Sequence, residues 1–293
     1  MHTPVAITAH AHLPPEQIVA VVELAAAVRA TGIDPRLNEA WIGARDGSRE
    51  ADWLAWDGAR LVGIAATERF GETVEATIAL LPDAPPETAA ALYAALCRAL
   101  PQQGATQLLV LHDRGATMLR ALAEAHNLTF DHAEQLMRRP GELGVPAVAT
   151  GALQIMRAEA DLLPAVAQVL TDGWGGDQAA TLARIQQSVE REAIRYYVAL
   201  LDGKPVAALN IQMIEGRPWV YGFVVRESYR GKGYGRQLVV AALVEVLTEA
   251  PGDVFLEVDP ANTPAIKLYH SLGFAVVRTF YYWAKELPDG TYS

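Results

Sequence analysis

The stretch that decides the reading is Tyr221-Gly222-Phe223-Val224-Val225-Arg226-Glu227-Ser228-Tyr229-Arg230-Gly231-Lys232-Gly233-Tyr234-Gly235-Arg236-Gln237-Leu238-Val239-Val240. An apolar strand runs into a turn, three glycines follow within five residues, and an apolar helix begins. Glycine adopts positive φ without steric cost and lets a ligand approach the backbone closely. Backbone N–H groups exposed at a helix N-terminus make an anion site. Arg230 and Lys232 place positive charge where phosphates would lie. A Walker loop would need Gly-Lys followed by Ser or Thr after a longer loop, and Tyr234 does not fit. A dinucleotide fingerprint would need another glycine spacing and a parallel βαβ unit. A Gly-rich surface turn is the alternative to a pyrophosphate loop.

Outward from this loop, the chain reads as two copies of one pattern. Leu54 to Ala66 is LAWDGARLVGIAA, and Val198 to Asn210 is VALLDGKPVAALN. Each is an apolar run, an Asp-Gly turn, a basic residue and a second apolar run, which is a hairpin signal. Aligning Gly58 with Gly203 gives an offset of 145. A second match, AHNLTF from Ala125 and YHSLGF from Tyr269, aligns His126 with His270 at an offset of 144. Between them, Leu108–Leu111 and Val254–Glu257 both read as buried strands. The segment PGELGVPAVATG, Pro140 to Gly151, is rich in Pro and Gly and reads as a linker. The expected organisation is a first domain over 1–140, a linker over 141–151 and a second domain over 152–293.

In the second copy, strands are expected near 153–157, 195–201, 206–214, 218–225, 254–258 and 275–283. Helices are expected near 161–170, 177–191, 233–249 and 263–272. Antiparallel strands followed by a strand–helix–strand crossover imply an α/β (α+β) fold, each domain a mixed, mostly antiparallel sheet flanked by helices.

Composition narrows the function. The chain has 293 residues, 51% of them hydrophobic, and a formal net charge of −10. That charge argues against nucleic acid, whose binders present a basic face. No apolar run reaches the ~20 residues of a membrane span, and the chain opens on no secretory signal, so a soluble cytoplasmic protein is expected. Cys97, the single cysteine, lies in a helical apolar run and reads as a small buried hydrophobe rather than a nucleophile. His2, His10 and His12 have neither the spacing nor the carboxylates of a metal site, and no metal is expected.

Arg230-x-x-Gly233-x-Gly235 between a strand and a long helix resembles the first motif of the GNAT superfamily of N-acetyltransferases. Leu256 to Phe274, LEVDPANTPAIKLYHSLGF, resembles its second. The resemblance covers about 140 residues; the first half is similar more faintly, and the tandem arrangement resembles two-domain members of the superfamily. It implies acetyl-CoA as co-substrate and a primary amine of a small molecule or peptide as acceptor. A bulge in the fourth strand would open a gap for the cofactor. Phe223, Val224 and Val225 would contact the pantetheine arm. Arg230, Gly231, Lys232, Gly233, Tyr234, Gly235 and Arg236 would hold the pyrophosphate. Asn262 would orient the pantetheine, or cap the helix that follows, or both. Tyr269 would be the general acid toward the leaving thiolate, with a core aromatic as the alternative. Two-domain members carry a candidate base early in the fourth strand. Here that position falls near Pro218, which leaves Glu215 as the candidate, with Tyr221 or ordered water as alternatives. Trp174 lies in a loop that borders the acceptor site in the family.

In the first copy the loop is Leu80-Leu81-Pro82-Asp83-Ala84-Pro85-Pro86-Glu87, without glycine, and Ala125 aligns with Tyr269. Proline has no N–H to offer a phosphate, so this half is expected not to bind acetyl-CoA in the same mode. A non-catalytic acyl-CoA sensor is the alternative function.

Overall fold

The computed structural model describes residues 4–37, 42, 51–147, 153–190 and 194–288. His2 and the end of the expected linker lie outside these. Contacts divide the chain into two compact units that are not contiguous in sequence. Unit 1 is Met1–Glu134 with Arg278–Ser293, and unit 2 is Gln135–Val277.

Unit 1 holds β1 (Ala6–His10), α1 (Pro15–Ala30), β2 (Asp52–Asp57), β3 (Arg60–Phe70), β4 (Thr73–Leu80), α2 (Thr88–Ala99), β5 (Gln107–Asp113), α3 (Thr117–Ala125) and the start of β6 (Thr129–Arg139). Unit 2 holds the end of β6, then β7 (Gln154–Arg157), α4 (Leu163–Trp174), α5 (Gln178–Glu190), β8 (Ile194–Leu201), β9 (Lys204–Ile214), β10 (Arg217–Val225), α6 (Tyr234–Glu249), β11 (Val254–Val258), α7 (Thr263–Ser271) and the start of β12 (Ala275–Glu286). The chain passes from unit 1 to unit 2 within β6 and returns within β12.

The strands of the two units follow the same plan. In unit 1 β1 to β4 are antiparallel neighbours, β4 and β5 run parallel, and Phe280–Glu286 of β12 pairs antiparallel with β5. In unit 2 β7 to β10 are antiparallel, β10 and β11 run parallel, and Gln135–Arg139 of β6 pairs antiparallel with β11. Each half therefore receives its sixth strand from the other half of the chain. Within unit 1, β12 is held by the Tyr282 hydroxyl, which donates to Glu134 Oε2 (2.8 Å), and by Arg36, which bonds the same carboxylate (3.1 Å) and lies over the Phe280 ring. Tyr282 is buried, while Tyr281 and Trp283 on either side are half-buried, as strand alternation requires.

The copies can be aligned on geometry. The β8–β9 loop is Asp202-Gly203, both at positive φ (49° and 73°), the type I′ pattern. The β2–β3 loop is Gly58-Ala59, with only Gly58 left-handed (60°). Loops at 58–59 and 202–203 are 144 apart. The same register slip follows in each hairpin, beside Val62 and beside Val206. At the other end, Asn127 (φ 51°) and Gly273 (φ 89°) end α3 and α7 in the left-handed conformation. One residue later, Leu128 N donates to Ala123 O and Phe274 N to Tyr269 O. That offset is 146. The AHNLTF–YHSLGF match at 144 is thus two residues out of register. The counterpart of Tyr269 is Ala123 and not Ala125, because the helix ends must superpose.

The cores follow from the strand faces. In unit 1, Leu54, Ile64, Ile78, Leu92, Leu96 and Leu108 pack together. In unit 2 one face carries Leu209, Val220, Leu256 and Val258 against α6 and α7, through Leu238, Leu243 and Tyr269. The opposite face packs Tyr196, Val198, Ala208 and Val224 under α4 and α5.

Candidate functional site: a forked sheet in unit 2

β10 and β11 pair only at Trp219↔Phe255 and Val220↔Leu256, yet β10 continues to Val225 and β11 to Val258. The two parallel strands part like a fork. A register shift on β10 between Tyr221 and Val224 inserts one extra residue against β9. Gly222 lies inside this bulge at φ 61°, and a Cβ there would stand 2.5 Å from Asn210 Nδ2. The expected bulge is therefore present, and glycine at 222 meets both its torsion and its tight contact.

Register fixes what points into the fork. Arg226 N donates to Val206 O (3.0 Å), which turns Arg226 and Val224 toward β9. Successive strand residues direct their backbone groups to opposite edges, so the N–H and C=O of Val225 face the gap. The Val225 carbonyl accepts from Arg230 Nε (3.0 Å).

The glycine loop brings a helix end to the mouth of the fork. Gly231 and Gly233 take φ of 74° and 78°, and Gly233 is the left-handed cap of α6. A Cβ on Gly235 would lie 2.7 Å from the Phe223 ring and 3.0 Å from Val225 Cγ2. Its absence lets the first turn of α6 rest directly on β10. The first intrahelical bond is Gln237 N to Gly233 O, so the amides before it face outward unpaired by the helix. Lys232 Nζ donates to Ser228 O and lies over the Tyr229 ring, and Arg236 Nη1 donates to Ser271 Oγ. These bonds hold two cations beside the loop. Tyr234 is half-buried against the same core.

Tyr269 sits on α7, on the α6 side of the sheet. It is buried, with its ring 6.2 Å from that of Phe223 and 5.8 Å from that of Phe274. Burial alone pushes its hydroxyl pKa upward, so the phenol keeps its proton across the neutral range. Asn262 caps α7: its Oδ1 accepts from Ala265 N (3.3 Å).

Other expected residues fall elsewhere. Glu215 and Gly216 form the β9–β10 loop, both at positive φ, and Glu215 is exposed at the hairpin tip. Six residues of strand, roughly 20 Å at ~3.3 Å per residue, separate it from Tyr221 at the fork, so it is not brought together with Tyr269. Pro218 is buried on the same strand. Trp174 ends α4 and is 64% exposed, and a Cβ on Gly222 would lie 3.7 Å from its ring. Cys97 is half-buried, and burial raises its thiol pKa, away from nucleophilic use. His10 bonds Thr8 Oγ1. Among the described residues no cluster of His, Cys, Asp or Glu is placed to hold a metal ion, and no helix is long and apolar enough to cross a membrane.

The structure adds a group that the motifs did not single out. Trp219 stacks on Tyr221 (6.0 Å) and on Phe255 (5.2 Å), on the α4 side of the sheet. Glu257, two residues after Phe255, shares that face and lies just past the last β10–β11 pair, at the fork itself. The signal was in the sequence: Trp219-Val220-Tyr221 and Phe255-Leu256-Glu257 alternate in step.

Residues 163–274, which hold the splayed parallel pair and the glycine-bent helix start at its mouth, match the Acetyltransferase (GNAT) family. This chain therefore carries a GNAT acetyltransferase domain. It is 37% identical over 67 residues to the mycothiol acetyltransferase of Corynebacterium aurimucosum, which covers 23% of this chain and 22% of that protein. It is 32% identical over 83 residues to the [ribosomal protein bS18]-alanine N-acetyltransferase of Escherichia coli strain K12, covering 28% and 56% of the two chains. The chain thus aligns with about a fifth of the length of the first relative and little more than half of the second. Its fold matches a tandem GNAT protein from the clavulanic acid biosynthesis pathway, with a TM-score of 0.78 and 17% identity over 99% of this chain and 100% of that one.

Proposed function

We propose that the protein is an acetyl-CoA-dependent N-acetyltransferase that moves an acetyl group to a primary amine of a small molecule or peptide by direct attack. The observation that carries this reading is the unit 2 fork, with the N-terminus of α6 packed onto it through Gly235. The pyrophosphate of acetyl-CoA binds the amides of Gly231 to Arg236, where the helix dipole favours an anion. The pantetheine arm runs along Phe223 to Val225 and places the thioester where the strands divide.

The two faces of the fork then divide the chemistry. The acceptor arrives on the α4 face, over Trp219, Tyr221 and Phe255. An aliphatic amine has a pKa of about 10 and must lose a proton before it attacks. Glu257 is the carboxylate at the fork on that face and takes this proton, directly or through water; Glu215 is too far along the strand. The amine forms its C–N bond, and the carbonyl oxygen becomes an oxyanion bonded to the Val225 N–H. The C–S bond breaks toward the α7 face, where Tyr269 stands. A thiol of pKa about 8.5 leaves readily. A buried phenol holds its proton more tightly than that thiol, so Tyr269 donates a hydrogen bond to the departing sulfur. The second proton lost by nitrogen balances the thiolate.

Mycothiol and an alanine of a ribosomal protein, which the names of the two relatives carry, point to a small molecule or a peptide as the acceptor class. A thiol-release assay with a panel of amines tests the reading. Saturable release with at least one amine is expected, with kcat/KM lowered about a hundredfold and the acidic limb of its pH profile altered in Glu257→Gln. Acetyl-CoA binding without release for any amine would identify a sensor instead.

A further inference from the structure

Unit 1 has a fork of its own. β4 and β5 pair from Thr73↔Gln107 to Thr77↔Leu111 and then part. Below the opening lies a cavity of about 220 Å³, between the end of α1, the ends of β4 and β5 and the start of α3. Its wall is mainly apolar, with Ile33, Ile78, Leu80, Leu81 and Leu119 prominent. We propose that this cavity is a second ligand site, for a small uncharged molecule with an apolar body and one amide group, distinct from the acetyl-CoA site of unit 2.

Three observations carry the assignment. The first is backbone geometry. Leu81 N donates to Val62 O (2.9 Å), which is the bond that Arg226 makes to Val206 in unit 2. By the same alternation the N–H and C=O of Leu80 turn away from β3 and into the gap. One donor and one acceptor on adjacent edge positions suit an amide, which offers both.

The second is that most other polar groups of the wall are engaged within the protein. His112 Nε2 accepts from Trp283 Nε1 (3.1 Å), and its Nδ1 donates to Asp113 O (2.8 Å), which fixes a neutral imidazole. Asp113 accepts from the amides of Gly115 and Asp34. Thr31 Oγ1 donates to Val28 O and Asp34 accepts from the Arg36 amide. A ligand therefore meets mainly apolar surface apart from Leu80, and the two carboxylates would repel an anion.

The third is the rim. Pro82 and Asp34 line the opening, and the segment after β4 carries Asp83 and Glu87 where unit 2 has its glycine loop. Pro82, Pro85 and Pro86 have no N–H to offer, and the Arg60 guanidinium is taken up by Asp83, so this rim disfavours a nucleotide tail. Size sets the rest. A dry apolar cavity of about 150 Å³ accommodates benzene, so about 220 Å³ accommodates roughly nine heavy atoms.

The test uses the full chain, saturated with acetyl-CoA so that unit 2 is occupied, and N-butylacetamide as the probe. Titration followed by protein NMR should show one saturable site, with a dissociation constant in the millimolar range for so small a ligand. Ala116→Leu fills the cavity from within, and Met118→Trp covers it from the exposed rim. Each should weaken binding at least tenfold, and butyl phosphate should not bind. Should Ala116→Leu disturb the fold, as read by its spectrum, Met118→Trp decides alone. Failure of the amide to saturate, survival of binding in the filled variants, or equal binding of butyl phosphate would each overturn the proposal.

Discussion

The two forks are built on one plan, and their differences are few and local. From the hairpins, the copies run at an offset of 144. β4 pairs with β3 without interruption, whereas β10 carries the Gly222 bulge, and the offset becomes 145. The segment between strand and helix has seven residues in unit 1 and eight in unit 2, and the offset becomes 146. So the two residues that unit 2 has in excess over this stretch are one in the bulge and one in the glycine loop. Both lie in the cofactor site proposed for unit 2. Tyr269 faces its fork where unit 1 has Ala123, and Glu257 stands where unit 1 has Leu111. A sheet that divides is thus common ground; a glycine loop, a phenol and a carboxylate are additions to one copy.

The sharpest way to break this comparison is to make unit 2 resemble unit 1 at its narrowest contact. Gly235→Val drives a branched side chain into Phe223 and Val225 and lifts the start of α6 from β10. Acetyl-CoA affinity by calorimetry should fall at least about a hundredfold, while the near-UV spectrum stays folded. Retained affinity would mean that the helix start does not hold the pyrophosphate.

Next in size is the phenol. Tyr269→Phe should lower kcat about tenfold to a hundredfold, with the acetyl-CoA dissociation constant within about twofold. Because burial raises the pKa of Tyr269, the alkaline limb of the wild-type profile should persist in the variant. Loss of that limb would mean that the Tyr269 hydroxyl itself titrates there, as a general acid whose proton is given up in that range. Calorimetry of the wild type sharpens the contrast further: one acetyl-CoA per chain is expected, and two would restore a cradle to unit 1. Glu215→Gln, at the hairpin tip, should leave kcat/KM within about twofold.

The smallest effect concerns His112. Burial holds its pKa below the ordinary value, so the folded chain binds fewer protons than the unfolded one between the two. Stability from this group is complete above the unfolded pKa of about 6.5 and is lost as pH falls toward the folded value. Melting in unit 1 should shift down on going from pH 7.5 to 5.5, by an amount that grows with the depression of the His112 pKa. In His112→Gln the shift should be smaller.

Much of the fold was legible because its signals are local. Asp202-Gly203 announces a hairpin, and Gly231, Gly233 and Gly235 announce a bent helix start. The register of the second anchor was not legible. Its His and Leu identities are chance, and the αL positions that align the helix ends, Asn127 and Gly273, are different residue types. Glu257 was overlooked because a carboxylate within a strand motif gains meaning only when the neighbouring strand departs beside it. The exchange of β6 and β12 was hidden for a third reason. Both are alternating strands, and nothing in such a pattern names the sheet it will join.

That exchange bears on how the chain comes into being. On the ribosome the N-terminal residues emerge first, and a domain ordinarily folds as a unit in that order. Here β5 lacks its outer partner until residues 280–286 exist, after all of unit 2 has been made. The earliest part to be synthesised is the last to be finished, and for that interval it carries an open apolar edge of the kind that chaperones shield.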